Sequence, residues 1–322
     1  MKIGIYFDLR NPSGWQQDPA QLYGATLELC EEAERLGADS IWVSEHHQFD
    51  DGYLPQPLTM AAAIAARTRR VRIGTAVVVA PFHHPVHLAE QAAVVDLISA
   101  GRLELGLGAG YSRPEFDLFG ADIAQRYATT DERYRELRRL WADGVRPQPI
   151  QADLPIWMGY AGPHGARRAG RLGARLLTPN HEMAAHYLAG LHEAGHPLES
   201  ARMGGNASAW VTDDPERDWP IVKPHVAHMF DTYRAAAVAG TDLSPPRPVD
   251  PDRLVASSEA RPLSAFRFGT PDDVASSLRT LVGDAPVETL LFWASIAGMP
   301  TDMAARGIET VCTQLKPLLA DL

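Results

Sequence analysis

His46 is the residue whose type and position are best suited to acid–base or hydrogen-bonding chemistry. It ends the alternating segment Ser40–His46. Ile41 and Val43 share one face of this predicted strand, and His46 lies on the other face. Because helices are expected to cover the apolar face, the histidine points into the mouth of the fold. An imidazole there can donate a hydrogen bond or exchange a proton near neutral pH, although the pattern also fits a histidine that only caps a strand end.

The run Glu45 to His47 places three potential metal ligands in a row. Adjacent strand residues point to opposite faces, and the sequence offers no further ligand at helical spacing. Cys30 and Cys312 are too few for a cysteine-rich zinc site or a disulfide framework. We therefore predict no metal site.

Glycines alternate along another strand-like segment, Leu103–Ala109. Its leucines share one face and Gly106 and Gly108 share the other, so a backbone or a bound cofactor can approach the glycine face closely. The spacing Gly-x-Gly-x-Gly differs from the Gly-x-Gly-x-x-Gly of dinucleotide-binding folds, and it does not fall on the first strand. A nicotinamide-binding Rossmann domain is therefore not expected.

A turn rich in small residues, Gly159–Gly165, leads from a predicted strand into a helix. The N–H groups exposed at a helix N terminus form a phosphate site, and Arg167 and Arg168 follow them. An ordinary strand-to-helix turn has the same composition. The position beside the glycine-lined strand favours phosphate binding.

These candidate residues lie near the ends of short apolar strands that alternate with amphipathic helices. This alternation is typical of an α/β fold with a parallel sheet and crossover helices. Eight strands predict a closed (β/α)8 TIM barrel, in which reactive groups lie at the carboxyl ends of the strands. The predicted strands are Ile3–Leu9, Ser40–His46, Val71–Ala80, Leu103–Ala109, Ile156–Ala161, Ala174–Thr178, Gly204–Val211 and Glu288–Ser295. The predicted helices are Pro19–Leu36, Pro57–Ala66, Pro85–Ser99, Thr129–Trp141, His164–Leu172, Glu182–Ala194, Pro215–Ala237 and Thr301–Leu319.

A proline-rich stretch at residues 244–251 interrupts the alternation between the seventh and eighth strands. Four prolines in eight residues prevent a regular element. We predict a single domain over residues 1–322 with an insertion at about 240–268, at the carboxyl face of the barrel. The insertion is either a lid over the site or a plain solvent loop. An extra helix from Thr270 to about Leu281 follows it.

Charge and hydropathy narrow the range of partners. The formal net charge of -10 repels phosphate backbones, so a nucleic-acid partner is not expected. No run of about 18 apolar residues occurs, and Lys2–Phe7 is strand-like rather than a signal segment. We expect a soluble cytoplasmic protein without a membrane partner.

The motifs together resemble those of the bacterial-luciferase-like flavin oxidoreductases, over almost the whole chain. Each motif is short, but their order and spacing are specific. The matching segments are Trp42–His47, Gly74–Val77, His84–Val86 with Ala89–Glu90, Gly101–Leu103 with Gly106, Phe119–Gly120 and Gly269–Pro271.

The resemblance implies that an FMN ring rests against the third strand, where a non-proline cis peptide would join Ala76 and Val77. It implies that His46 is the active-site histidine. The implied cofactor-binding residues are Ala76, Val77, Gly108, Tyr111, Arg126, Ala161, Gly162, His164, Gly165 and Thr178. Gly108 and Ala109 stand where luciferase has a cysteine near the ring and an arginine on the phosphate, so phosphate binding is expected to depend on the turn after the fifth strand.

The resemblance leaves three functions open. The leading one is a monooxygenase that takes reduced FMN from a separate flavin reductase and uses O2 to oxygenate a small organic substrate. The second is a hydride-transfer oxidoreductase that uses a deazaflavin coenzyme of the F420 type. The third is a flavin-binding partner subunit without catalysis, against which the presence of His46 argues. Relatives of this type commonly dimerise through the early helices, so a homodimer is expected.

Overall fold

Parallel strands close on themselves at the centre of the computed structural model, which describes residues 1–254 and 266–322. The strands are β1 (Lys2–Phe7), β2 (Ser40–Val43), β3 (Arg72–Thr75), β4 (Val78–Val79), β5 (Leu103–Gly108), β6 (Ile156–Met158), β7 (Arg175–Leu176), β8 (Met203–Asn206), β9 (Ala209–Val211), β10 (Arg267–Gly269) and β11 (Val287–Trp293). β3 and β4 both pair with β5 and together occupy one strand position, and β11 pairs with β1. Eight strand positions therefore form a closed barrel in the order β1, β2, β3 with β4, β5, β6, β7, β8, β11. The predicted TIM barrel is confirmed.

Helices surround the barrel at nearly all the predicted positions. They are α1 (Pro19–Arg35), α2 (Pro57–Arg67), α3 (Pro85–Ile98), α4 (Arg113–Phe119), α5 (Arg126–Arg139), α6 (Gly162–Arg171), α7 (Ala184–Glu193), α8 (Pro215–Val238), α9 (Pro271–Val282), α10 (Thr301–Thr310) and α11 (Lys316–Leu318). Short π-helical turns at Leu140–Gly144 and Val311–Leu315 extend α5 and α10. α4 was not predicted from the sequence.

Two segments predicted as single strands are each divided into two strands. The segment Val71–Ala80 is divided into β3 and β4, and the peptide bond between Ala76 and Val77 in the interval is cis, as the resemblance implied. The segment Gly204–Val211 is divided because Ser208 has a positive φ of 48°. β8 stays in the barrel, whereas β9 leaves it and pairs with β10 in a separate two-stranded sheet.

The alternation of side chains separates two apolar layers. Ile41 and Val43 lie in the layer between strands and helices, whereas Trp42 points into the barrel. There its indole lies 6.0 Å from that of Trp157. Gly74 gives it room, because a Cβ at this position would overlap the Trp42 ring. This aromatic plug fills the barrel beneath the carboxyl-end mouth.

The segment after α8 carries little regular structure, as predicted. Residues 239–254 contain one short helical turn, Pro251–Arg253. Residues 255–265 belong to the predicted insertion at about 240–268 and lie outside the described residues. β10 begins at Arg267, at the end of the range predicted for the insertion.

Candidate functional site

Two adjoining pockets open at the carboxyl ends of the barrel strands, where His46 lies. Because they share lining residues, we call them the large lobe, of about 660 Å³, and the small lobe, of about 280 Å³, of one cavity. Both lobes share the lining residues Tyr6, Ala76, Val77, Gly159, Ala161 and Tyr233. The large lobe adds Tyr160, Gly162, Leu177, Thr178, Asn180, Glu182, Met183, Asn206 and Trp293, and the small lobe adds Ser44, Glu45, His46, Tyr53, Val79, Gly108, Ala109, Gly110, Tyr111 and Tyr127. Cavities of this size suit a cofactor with a small ligand beside it.

His46 stands in the small lobe within a ring of aromatic side chains. The centroids of Phe49, Tyr53, Tyr111 and Tyr233 lie 4.5 to 5.8 Å from the imidazole. The side chain is 12% exposed. Among the described residues, Glu115 is the hydrogen-bond partner of the ring at Nδ1, 3.1 Å away, which leaves Nε2 for a molecule in the cavity.

Glu115 was missed in the sequence analysis, because α4 was missed. Its buried carboxylate accepts a hydrogen bond from the His47 backbone N–H at 2.6 Å as well as approaching His46. The run Ser112 to Glu115 has the Ser-x-x-Glu pattern of a helix start, which was the available signal. The carboxylate therefore fixes both the strand end and the orientation of the imidazole.

Replacing Glu115 by alanine should lower the free energy of unfolding by about 2 kcal/mol, because it leaves the buried His47 N–H without an acceptor. Glu115→Gln keeps an acceptor oxygen and should cost less. Denaturation in urea measures both changes. Glu132→Ala, at an exposed position of α5, is the matched control and should stay within about 0.5 kcal/mol of the wild type. Equal effects of the alanine and glutamine replacements would contradict this account.

Glu45, the neighbour of His46, points away from it into a buried network. Its Oε1 accepts from the Nε2 atoms of His47 and His83, each at 2.9 Å, and its Oε2 accepts from the Val79 N–H at 2.7 Å. Burial would raise the pKa of Glu45, but these hydrogen bonds outweigh it and hold that pKa below its usual range. The ionised carboxylate thus ties β4 and its following turn to the end of β2.

One wall of the cavity is made by Ala76 and Val77 and by the glycines that give them room. A Cβ at Gly106 would overlap the Thr75 carbonyl oxygen, and one at Gly108 would overlap the Val77 side chain. Gly108 therefore faces Val77 directly. The glycines of β5 therefore leave room for the Thr75 backbone and the Val77 side chain, which lie against this strand.

The start of α6 borders the large lobe. Its N-cap residue, Ala161, has no side-chain cap, and Gly162 takes a left-handed φ of 70°. Both residues line the lobe, so uncapped backbone N–H groups lie at its edge. His164 is exposed beside them but is not a lining residue. Gly165 is buried, and a Cβ there would lie 2.8 Å from that of Tyr160, so this glycine serves helix-to-strand packing.

The basic residues near α6 are placed differently from one another. Arg167 pairs with Glu193 on the exposed surface, and Arg168 pairs with Asp131 at 2.7 Å. Arg126 does not line either lobe, but its guanidinium carbon lies 4.7 Å from the ring centre of Tyr127, which lines the small lobe. The Nε of Arg126 is buried and has no hydrogen-bond partner among the described residues.

The remaining predicted cofactor residues lie in different lobes. Tyr111 lines the small lobe with Gly108, and Thr178 lines the large lobe with Gly162. Burial raises the pKa of Tyr111 above its usual range, so its phenol is neutral near pH 7. The structure thus brings seven of the ten predicted cofactor residues to the cavity wall, namely Ala76, Val77, Gly108, Tyr111, Ala161, Gly162 and Thr178.

A buried arginine that the sequence analysis did not identify lies behind the cavity. The guanidinium carbon of Arg10 lies 4.4 Å from the ring centre of Tyr53 and 4.6 Å from that of Tyr233. Asp8 and Asp51 approach it at 3.6 and 3.5 Å. Burial raises the pKa of Asp8 to about 6, although Arg10 opposes the shift. The cation holds the two tyrosine rings in place.

The helix α8 is fastened over the barrel mouth by polar contacts. Arg10 donates to Thr232 at 2.6 Å, and His228 lies 3.0 Å from an Asp51 oxygen. His225 approaches the Ala297 carbonyl oxygen at 3.0 Å. Because Tyr233 of this helix lines both lobes, α8 covers part of the cavity.

Within residues 1–254 and 266–322, no helix is both long and apolar enough to cross a membrane. In the same part of the chain, no group of three or more His, Cys, Asp or Glu side chains is arranged to hold a metal ion.

Comparison with known proteins gives a consistent picture. A family model described as luciferase-like monooxygenase matches residues 1–288. The oxygenase component of a flavin-dependent trigonelline monooxygenase from Acinetobacter baylyi is 33% identical over 262 residues, which are 76% of this chain and 69% of that protein. An F420-dependent glucose-6-phosphate dehydrogenase from Amycolatopsis mediterranei is 33% identical over 172 residues, which are 46% of this chain and 50% of that protein.

A solved structure extends the similarity to the whole chain. The crystal structure of a monooxygenase from Streptomyces bottropensis has a TM-score of 0.80 and 28% identity. The match covers 99% of this chain and 100% of that one.

Proposed function

The chain belongs to the luciferase-like monooxygenase family, and from this premise we propose that it is the oxygenase of a two-component system. In this proposal it binds reduced FMN supplied by a separate flavin reductase and uses O2 to oxygenate a small organic substrate. The observation that carries the proposal is that His46, the wall at Ala76 and Val77, and the uncapped start of α6 all border one cavity.

The residues of the cavity fit a flavin with a phosphate. The uncapped N–H groups at Ala161 and Gly162 suit the phosphate, and Thr178 lies in the same lobe. Arg126 lines neither lobe, but its Nε has no partner among the described residues, so we include it as a further candidate donor to the anion. Ala76 and Val77 offer an apolar surface on which a flat ring can rest. When bound, reduced FMN supplies the two electrons that allow one oxygen atom of O2 to enter the substrate while the other leaves as water.

The protein's own groups would orient the substrate and exclude water. His46 is held by Glu115 at Nδ1, so its Nε2 can donate to or accept from the substrate or the cofactor. α8 covers the mouth and limits the entry of water. The separate reductase is supported by the relative from Acinetobacter baylyi, which is named as an oxygenase component.

An anaerobic titration tests the cofactor. We expect reduced FMN to bind at least about tenfold more tightly than the reduced deazaflavin coenzyme. After admission of ¹⁸O2, with small aromatic and aliphatic compounds supplied, mass spectrometry should find one labelled oxygen in a product. Tight binding of reduced FMN without any labelled product in such a screen would argue against oxygenation.

Hydride transfer from a deazaflavin is the second candidate. The partial match to an F420-dependent dehydrogenase supports it. In that case the deazaflavin would bind more tightly than reduced FMN, and substrate would be reduced or oxidised without uptake of O2. Binding of neither cofactor would favour the non-catalytic partner subunit.

A homodimer and a cytoplasmic location are further parts of the proposal. The small residues of α2 are mostly turned inwards, with Ala61 and Ala65 buried. α3 instead exposes Val94, Leu97 and Ile98, which form an apolar face that a second copy could cover.

A further inference from the structure

Four hydroxyl groups meet at the wall of the small lobe. The hydroxyls of Tyr6, Ser44 and Tyr53 lie 2.6 to 2.8 Å from one another, and that of Tyr233 lies 2.9 Å from Tyr53. They come from β1, the end of β2, the loop after it and α8. Burial raises the pKa of all three phenols above the usual range. The phenols are therefore neutral near pH 7 and keep their protons.

The number of protons in this cluster decides what it can offer to a ligand. Tyr6 donates to Ser44, and the Ser44 hydrogen is then free for Tyr53. Tyr53 has one hydrogen and two neighbouring acceptors, on Tyr6 and on Tyr233. If Tyr53 donates to Tyr233, the Tyr233 hydrogen can be donated into the cavity. If it donates to Tyr6, Tyr233 donates back to Tyr53 and offers a lone pair.

Arg10 fixes the position of this adaptable group. Its guanidinium lies against the rings of Tyr53 and Tyr233, and its donation to Thr232 holds the adjacent residue of α8. The Tyr233 hydroxyl is therefore presented at a defined point, although its proton can take two directions.

The small lobe around this hydroxyl is aromatic, and no lysine or arginine is among its lining residues in the described part of the chain. The rings of His46, Tyr53, Tyr111 and Tyr233 border it. Its one acidic lining residue, Glu45, is occupied by two imidazoles and a backbone N–H. Such a wall favours flat, uncharged molecules, because offset and edge-to-face contacts favour aromatic rings, while a carboxylate would find no lysine or arginine in the wall to pair with.

We propose that the small lobe is the substrate subsite and that it takes a neutral, planar aromatic molecule whose hydroxyl or carbonyl oxygen is held by Tyr233. The assignment rests on the proposed function in one respect, since it leaves the large lobe and the shared wall at Ala76 and Val77 to the flavin. It gives Gly108 and Tyr111, which the resemblance implied as cofactor-binding residues, to the substrate instead. The volume of about 280 Å³ lies at the small end of ligand pockets, which suits a molecule of one or two rings.

Three size-matched probes test the class of ligand on the wild-type protein by calorimetric titration. The probes are 2-naphthol, which is aromatic and neutral, decahydro-2-naphthol, which keeps the hydroxyl without the aromatic rings, and naphthalene-2-carboxylate, which is an anion. We expect 2-naphthol to bind at least about tenfold more tightly than the other two. Equal or tighter binding of either other probe, or no binding of 2-naphthol, overturns the proposal.

Replacements then test the residue and the lobe. Tyr233→Phe keeps the ring against Arg10 and should lower the affinity for 2-naphthol about five- to tenfold. Tyr23→Phe on α1 should leave that affinity unchanged. Ala109→Leu fills the small lobe and should lower the affinity for 2-naphthol. Thr178→Leu in the large lobe should lower the affinity for reduced FMN and leave that for 2-naphthol unchanged. An unchanged affinity for 2-naphthol in Tyr233→Phe overturns the role of the hydroxyl. If Thr178→Leu, rather than Ala109→Leu, loses 2-naphthol binding, the assignment of the lobes is overturned.

An anaerobic titration of the same preparation with reduced FMN separates the two proposals. If reduced FMN binds and 2-naphthol does not, the aromatic subsite is overturned and the proposed function stands. If 2-naphthol binds as expected and reduced FMN does not, the subsite is supported and the proposed function falls.

Discussion

Replacing His46 by glutamine is expected to lower the rate constant of substrate oxygenation by about 100-fold or more, with the affinity for reduced FMN changed by less than about threefold. Glutamine can still hydrogen-bond, but it cannot exchange a proton near neutral pH. The imidazole lies in the small lobe rather than at the start of α6, so flavin affinity should depend little on it.

The measurement is a single-turnover experiment in which protein loaded with reduced FMN is mixed with O2 and a substrate found in the labelling screen. His87→Gln is the matched control, because His87 is exposed on α3 and lies outside both lobes. A strand-capping role predicts a different outcome, in which His46→Gln lowers the free energy of unfolding and leaves the rate constant intact. Such a result would exclude catalysis by His46.

Most of the barrel could be predicted from the sequence because local pattern and tertiary structure agree there. The alternation along β2 predicts that Ile41 and Val43 face the helices and that Trp42 faces the barrel interior, and the structure confirms both placements. Prolines at the starts of α1, α2 and α3 mark those helices within one residue.

The parts that were not predicted depend on contacts between distant segments. Arg10 and Tyr233 are 223 positions apart in the chain, and no local pattern shows that they touch. The exit of β9 from the barrel depends on its partner β10, which follows more than 50 residues later. The glycine face of β5 was identified, but periodicity could not show that Val77, rather than the cofactor, lies against Gly108.

That glycine face leads to the second large effect, the expected loss of stability in Gly106→Ala. The added methyl would overlap the Thr75 carbonyl oxygen. This backbone atom belongs to the neighbouring strand β3 and cannot move without breaking the barrel register. Overpacking against a rigid neighbour should cost at least about 3 kcal/mol of unfolding free energy, measured by denaturation in urea. Gly24→Ala is the matched control, since Gly24 is exposed on α1 and a Cβ there meets nothing within 4 Å. It should stabilise the protein by about 0.5–1 kcal/mol through helix propensity.

A comparison with Gly108→Ala tests the physical reason for this effect. At Gly108 the added methyl meets the Val77 side chain instead of backbone, so the loss should be smaller than in Gly106→Ala. Val77→Ala should then recover most of the loss in the Gly108→Ala background, because it removes the methyl groups that clash. The same second replacement should recover little in the Gly106→Ala background, where the Thr75 backbone remains. Equal recovery in both backgrounds would mean that β5 adjusts as a unit, and that Gly106 and Gly108 are interchangeable in shaping the cavity wall.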